Sequence, residues 1–255
     1  MDEIFGIILL IAAVMAGGGL VVFFLNLNKS LVIKLLLSLS GGFLISIAFI
    51  HFIPEIYLHN GEEIGYYILL GFLIQLFLEY FSGGVEHGHI HVKHAAGVIP
   101  WGLFISLSLH AFIEGIPLEG QFHNDHIDAL FEHDHHSHGH SHAGEGMKGL
   151  LLGVILHKIP VAIALMTLML ASGFSKTKSW VILLIFSLMG PLGVLFGHYG
   201  SAKALIDLDL LMAIVIGMFL HISTTIIFES SENHRFNFAK LISLLLGVIL
   251  AIISL

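Results

Sequence analysis

Four stretches of the chain set histidine near carboxylate or ammonium groups inside otherwise apolar sequence. The first runs Ser106-Leu107-Ser108-Leu109-His110-Ala111-Phe112-Ile113-Glu114-Gly115-Ile116-Pro117. His110 and Glu114 are four residues apart, so on a helix they share one face and can hold a cation between them. Pro117 has no N–H to give to the Ile113 carbonyl, which predicts a kink and a freed oxygen beside Glu114. The second stretch, Leu156-His157-Lys158-Ile159-Pro160, offers His157 as a ligand. Its Lys158 needs a counter-charge in an apolar setting, and Glu114 is the nearest plausible one. The third repeats the four-residue spacing with His51 and Glu55 around Pro54, and the pair is expected on the way in for an ion. The fourth carries His221, the run Ser223-Thr224-Thr225, then Glu229 and Glu232. Glu229 and Glu232 either form an exit site or cap a helix end. His221 and the hydroxyl run either line an aqueous path or join helices. Gln75 and Glu79 read as interhelical contact and interfacial snorkelling, and His198 as interfacial.

Two imidazoles and a carboxylate, without a thiolate, suit Zn²⁺, Fe²⁺, Co²⁺, Ni²⁺ or Mn²⁺ and disfavour Cu⁺. Zinc is the leading expectation, because tetrahedral sites of His and carboxylate suit it. Such a cation would be cargo, and no resident cofactor is expected. Imidazole binds metal only when deprotonated, so metal capture should weaken as pH falls through the histidine range.

The elements that must carry these residues follow from composition. The 255 residues are 56% apolar and 11% charged, with mean hydropathy +0.95. A soluble domain carries about 25% charge, so this is an all-α polytopic membrane protein in contact with the lipid bilayer. Ten Lys and Arg against eighteen Asp and Glu exclude a nucleic-acid partner. With no Cys, disulfides and thiolate chemistry are absent. Spans of about 20 apolar residues are predicted near 3–26, 31–58, 62–82, 98–118, 147–171, 179–200, 207–229 and 237–255. The start Met1-Asp2-Glu3 has no basic segment, so the first span is expected to be retained. An ionisable group at the centre of a span costs about 2.5–3.5 kcal/mol and usually marks function.

Eight spans put both termini on one side. Lys29, Lys34, Lys93, Lys176, Lys178, Arg235 and Lys240 fall on one set of loops, and Lys148 and Lys203 on the other. Positive charge stays inside, so both termini are expected outside, in a plasma membrane of the bacterial inner-membrane kind. The whole chain, 1–255, reads as one transmembrane domain with two histidine-rich loops. The cytoplasmic loop 83–97 holds four His, and the outer loop 119–146 holds eight, out of nineteen in the chain. Both read as disordered, weak, multi-site metal traps, with a simple soluble tether as the alternative. The oligomer, if there is one, is expected to be a homodimer.

A faint internal repeat relates span 2, with Gly42-Phe43-Leu44 leading to Pro54-Glu55, to span 7, with Gly217-Met218-Phe219-Leu220 leading to Glu229. The two spans run in opposite directions. Spans 1–3 and 6–8 would then be inverted repeats around spans 4 and 5, a plan used by transporters.

With these residues in view, the chain resembles the ZIP family of divalent-metal transporters across all eight spans. The most specific part is Ser108 to Gly115, which is similar to the family's H-N-x-x-E-G signature. His157 and Pro160 match an H-x-x-P start on span 5, while His51 to Glu55 and Pro191-Leu192-Gly193 also look like the family. The resemblance implies a 3+2+3 helix bundle, import, and metal held between spans 4 and 5. Many members have Asn where Ala111 stands, an acidic or amide residue at Lys158, Glu at Val161 and Glu at Gly190. Those groups belong largely to the second metal of a binuclear centre. Lys158 would take the charge role of that second cation, leaving one ion on His110, Glu114 and His157. Competing readings are an intramembrane zinc hydrolase using a metal-bound water, a metal exporter, and a metal sensor that does not transport.

Overall fold

The computed structural model describes residues 2–23, 29–82, 101–119, 142–202, 207–229 and 238–254. Both histidine-rich loops fall largely outside these residues, and so does Glu232. Every regular element among the described residues is a helix. In order they are α1 (Asp2–Phe23), α2 (Lys29–Ile47), a π-helical turn (Ala48–Phe52), α3 (Ile53–Asn60), α4 (Ile64–Ser82), α5 (Trp101–Gly115), α6 (His142–Ala171), α7 (Lys176–Ser187), α8 (Met189–Ala202), α9 (Leu208–Glu229) and α10 (Phe238–Ser254). Helix is dictated by the apolar composition, since in lipid each backbone N–H and C=O must find its partner within the segment.

Among the described residues, five helical stretches are long and apolar enough to cross a membrane: Leu31–Asn60, Ile64–Ser82, Gly149–Ala171, Lys176–Gly200 and Leu208–Phe228. Gly6–Val22 and Phe238–Ser254 are apolar and shorter. The chain is a multi-pass membrane protein. Several hydroxyls inside the helices are satisfied locally. Ser46 Oγ donates to the Gly42 carbonyl and Thr225 Oγ1 to the His221 carbonyl, each one turn back.

Prolines act differently from one another. Pro54 cannot donate to the Ile50 carbonyl, and the helix widens just before it, with the Ile53 N–H bonding the Ala48 carbonyl five residues back. At Pro117 the expected kink with a free carbonyl does not occur. Helix α5 stops at Gly115, and the Ile113 carbonyl accepts the Ile116 N–H at 3.2 Å. Pro160 sits inside α6, which continues through it. The span expected at 179–200 is two helices meeting at Leu188, with Pro191 in the first turn of α8.

The turns between helices follow from local chemistry. Gly173, at φ 83°, ends α6. There the Phe174 N–H bonds the Met169 carbonyl and the Gly173 N–H bonds the Leu170 carbonyl, which closes the helix end with a left-handed glycine. Ser175 then caps α7 by accepting the Lys178 N–H.

Glycines set the helix packing, because backbones approach most closely where no Cβ intervenes. The largest contacts are α2 with α10, α4 with α9, α1 with α6 and α5 with α8. A Cβ on Gly42 would stand 2.2 Å from the Leu244 carbonyl oxygen, and one on Gly247 2.0 Å from that of Leu39. On the other pair, a Cβ on Gly217 would stand 1.9 Å from the Ile68 oxygen, and one on Gly71 1.9 Å from that of Ile214. Each contact is thus locked by one glycine from each helix. The same device appears where Gly193 of α8 meets the Phe112 oxygen of α5, and where Gly17 of α1 meets the Ile159 oxygen of α6.

Candidate metal centre

Helices α5 and α6 bring their polar residues together in the interior. His110, Glu114, His157 and Lys158 are all at most 3% exposed. Glu114 Oε2 is the hub. Lys158 Nζ donates to it at 2.7 Å, and His110 Nε2 lies 3.3 Å from the same oxygen. The pairing of Lys158 with Glu114 expected from the sequence is therefore present, as is the shared face of His110 and Glu114. The ammonium also stands 5.7 Å from the centroid of the Phe186 ring, within reach of its electron-rich face. Glu114 Oε1 has no hydrogen-bond partner among the described residues.

His157 is fully buried and its ring meets that of His110 edge to face, with centroids 5.9 Å apart. Among the described residues no three His, Asp or Glu side chains converge tightly enough to hold a metal. His110 and Glu114 meet each other, and His157 stands one ring away. Ala111 and Val161, at 1% and 2% exposure, belong to one apolar cluster with Leu107, Leu165 and Phe186.

Gln75 makes an interhelical contact, as expected from the sequence, but its partner was not foreseen, and neither was that of Glu79. Gln75 is fully buried, and its Oε1 lies 2.9 Å from His110 Nδ1. Glu79 is no snorkelling interfacial side chain. Its carboxylate pairs with Nε2 of His221 on α9, whose ring lies edge-on to Phe72. The signal available was spacing: Gln75 and Glu79 are four apart and face the same side as Gly71. In the hydroxyl run, Thr224 donates to the Leu220 carbonyl and Thr225 to that of His221, so these two do not join helices.

His51 and Glu55 are also brought together, Nε2 to Oε2 at 3.2 Å, across the π-helical turn. Their side chains are 15% and 35% exposed, well away from the burial of the central cluster. His198 is partly exposed and pairs with the buried carboxylate of Glu119 at 3.3 Å. Glu229 is the last residue of α9.

An ionisable side chain inside an apolar helix bundle is costly and marks a candidate functional site. Residues 137–254 match the family model described as ZIP zinc transporter. This part of the chain, less than half of its length, is similar to the ZIP zinc transporter family. The matched segment spans α6 to α10 and contains His157, Lys158 and His221, while His110 and Glu114 precede it. No curated protein matches the chain.

Proposed function

We propose that the protein imports divalent metal ions, zinc foremost, into the cytoplasm through a single-ion site on His110, Glu114 and His157. The observation that carries this reading is the enclosed hub at Glu114, where an imidazole and an ammonium meet one carboxylate oxygen. A dry site makes charge pairing strong and makes an unpaired charge expensive. On this reading Lys158, paired with Glu114, takes the charge role of a second cation. Ala111 and Val161 pack among apolar side chains, so neither supplies a ligand for a second ion. The apolar packing of these two residues supports one ion per chain. Incoming metal takes the carboxylate of Glu114 as a ligand in exchange for part of its contact with Lys158. His157, next to Lys158 on the same helix, completes the ligand set by moving toward His110.

Eight spans in a 3+2+3 order supply the frame. Helix lies in each of the eight windows expected from the sequence. Exchanging spans 1, 2, 3 and 4 with 6, 7, 8 and 5 turns the α2–α10 contact into α9–α4, and the α1–α6 contact into α8–α5. The glycine locks follow the same exchange, Gly42 with Gly217 and Gly247 with Gly71. Rocking of the two repeats around α5 and α6 would open the site to each side in turn. Metal gathers on the outer histidine loop, passes His51 and Glu55, and leaves past Glu229, Glu232 and the cytoplasmic histidine loop. The membrane is the plasma membrane, with both termini outside.

Zinc flux into proteoliposomes tests the reading. Wild-type protein should carry zinc, and Glu114→Ala should fall to the level of protein-free vesicles. Equal flux in both contradicts the site. Zinc binding by wild type without flux contradicts transport and points to a sensor.

A further inference from the structure

Gln75 lies on α4, outside the helices that carry the ligands proposed above, yet it touches His110 directly. Its amide oxygen can only accept a hydrogen bond, so the ring nitrogen 2.9 Å away, Nδ1 of His110, is the one that carries the proton. A neutral imidazole has one protonated nitrogen, which leaves the lone pair on Nε2. That nitrogen faces Glu114 Oε2 at 3.3 Å. In that tautomer Nε2 and the carboxylate face each other as two electron-pair donors. Such an arrangement is unfavourable by itself and is relieved by a cation set between the two.

We propose that Gln75 is a positioning residue for the metal site: its amide oxygen holds the proton of His110 on Nδ1 and so presents Nε2 to the metal beside Glu114. The inference rests on the reading of His110 and Glu114 as ligands. Gln75 is itself held firmly. Gly71, one turn earlier, lets α4 sit against the backbone of α9. Ser106 Oγ donates to the Leu78 carbonyl and ties α4 to α5 one turn from His110. One turn further along α4, Glu79 is paired with His221. An amide at position 75 supplies the acceptor without adding a charge to the buried cluster. Partners of this kind around metal-ligating histidines fix the tautomer and ring orientation.

The test uses full-length protein in lipid nanodiscs with ¹⁵N-labelled histidine, metal-free at pH 8, with the His110 signals identified by their loss in His110→Ala. The expected wild-type spectrum has the proton on Nδ1. Zinc affinity is measured in parallel by competition with a chelator. Gln75→Leu should lose the fixed tautomer and bind zinc roughly 10–100-fold more weakly. Gln75→Glu, which keeps an acceptor in place, should restore the Nδ1 proton and most of the affinity. A wild-type His110 protonated on Nε2 overturns the proposal without recourse to any variant. So does a Gln75→Leu protein that binds zinc as tightly as wild type while His110→Ala does not. If His110→Ala itself binds zinc undiminished, the metal-site reading fails, and the proposal with it.

Discussion

Two His–Glu pairs with identical four-residue spacing sit in very different surroundings. His110 and Glu114 are enclosed at 2% and 1% side-chain exposure, joined by Lys158 and Gln75 from two other helices. His51 lies in the widened turn and Glu55 in the first turn of α3, at 15% and 35% exposure. The spacing ensures only that the two side chains meet. Enclosure makes the central pair strong, since a charge there cannot be repaired by water. At the more exposed pair water stabilises each group separately.

The contrast is broken most sharply at Glu114. Glu114→Ala removes the hub and leaves the Lys158 ammonium buried without its partner. It should abolish metal flux and destabilise the protein by about 3–5 kcal/mol, read from thermal unfolding in nanodiscs. Next in size is Gly115→Ala. A Cβ there would stand 2.2 Å from the Gly190 carbonyl oxygen, so α5 and α8 must part and Glu114 must shift. A loss of about 1–3 kcal/mol is expected, together with reduced flux. Unchanged flux and stability would mean that the enclosure of the central pair does not depend on this contact.

At the more exposed pair the effects should be small. Glu55→Ala is expected to change stability by no more than about 1 kcal/mol. It should raise the metal concentration needed for half-maximal uptake and leave the maximal rate intact. A fall in maximal rate equal to that of Glu114→Ala would erase the distinction between the pairs. Smallest of all is the response to salt. Salt screens exposed charges, shortening their reach from about 10 Å at 0.1 M to about 3 Å at 1 M, and acts far less on buried ones. It should therefore lessen the effect of Glu55→Ala without altering that of Glu114→Ala, measured as uptake at low and high potassium chloride.

Much of the central site was legible in the sequence because lipid narrows the choices. An ammonium at Lys158 inside a span must find a carboxylate, and Glu114 was the nearest plausible carboxylate, so their pairing followed from chemistry before any packing was known. Legibility failed where helix-to-helix register decides. Gln75 carries no charge and so raised no demand of its own; only the placement of α4 beside α5 reveals its contact with His110. Glu79 looked interfacial because it lies near a helix end, and its pairing with His221 depends on the glycine-locked approach of α4 to α9. Proline was read correctly as a missing donor but not in its consequence. The backbone answered with a wider turn before Pro54 and with an early helix end before Pro117, where the Ile116 N–H takes the Ile113 carbonyl.

The central claim is that Lys158 fills the place of a second cation and leaves the site with one ion. Zinc stoichiometry tests it most directly, counted as the ions per chain whose binding is lost on His110→Ala, so that ions held by the histidine-rich loops are not included. Wild type should hold one such ion. Lys158→Glu, which exchanges the ammonium for a second carboxylate, should raise the count and alter transport. An unchanged count with unchanged transport in Lys158→Glu would contradict the account.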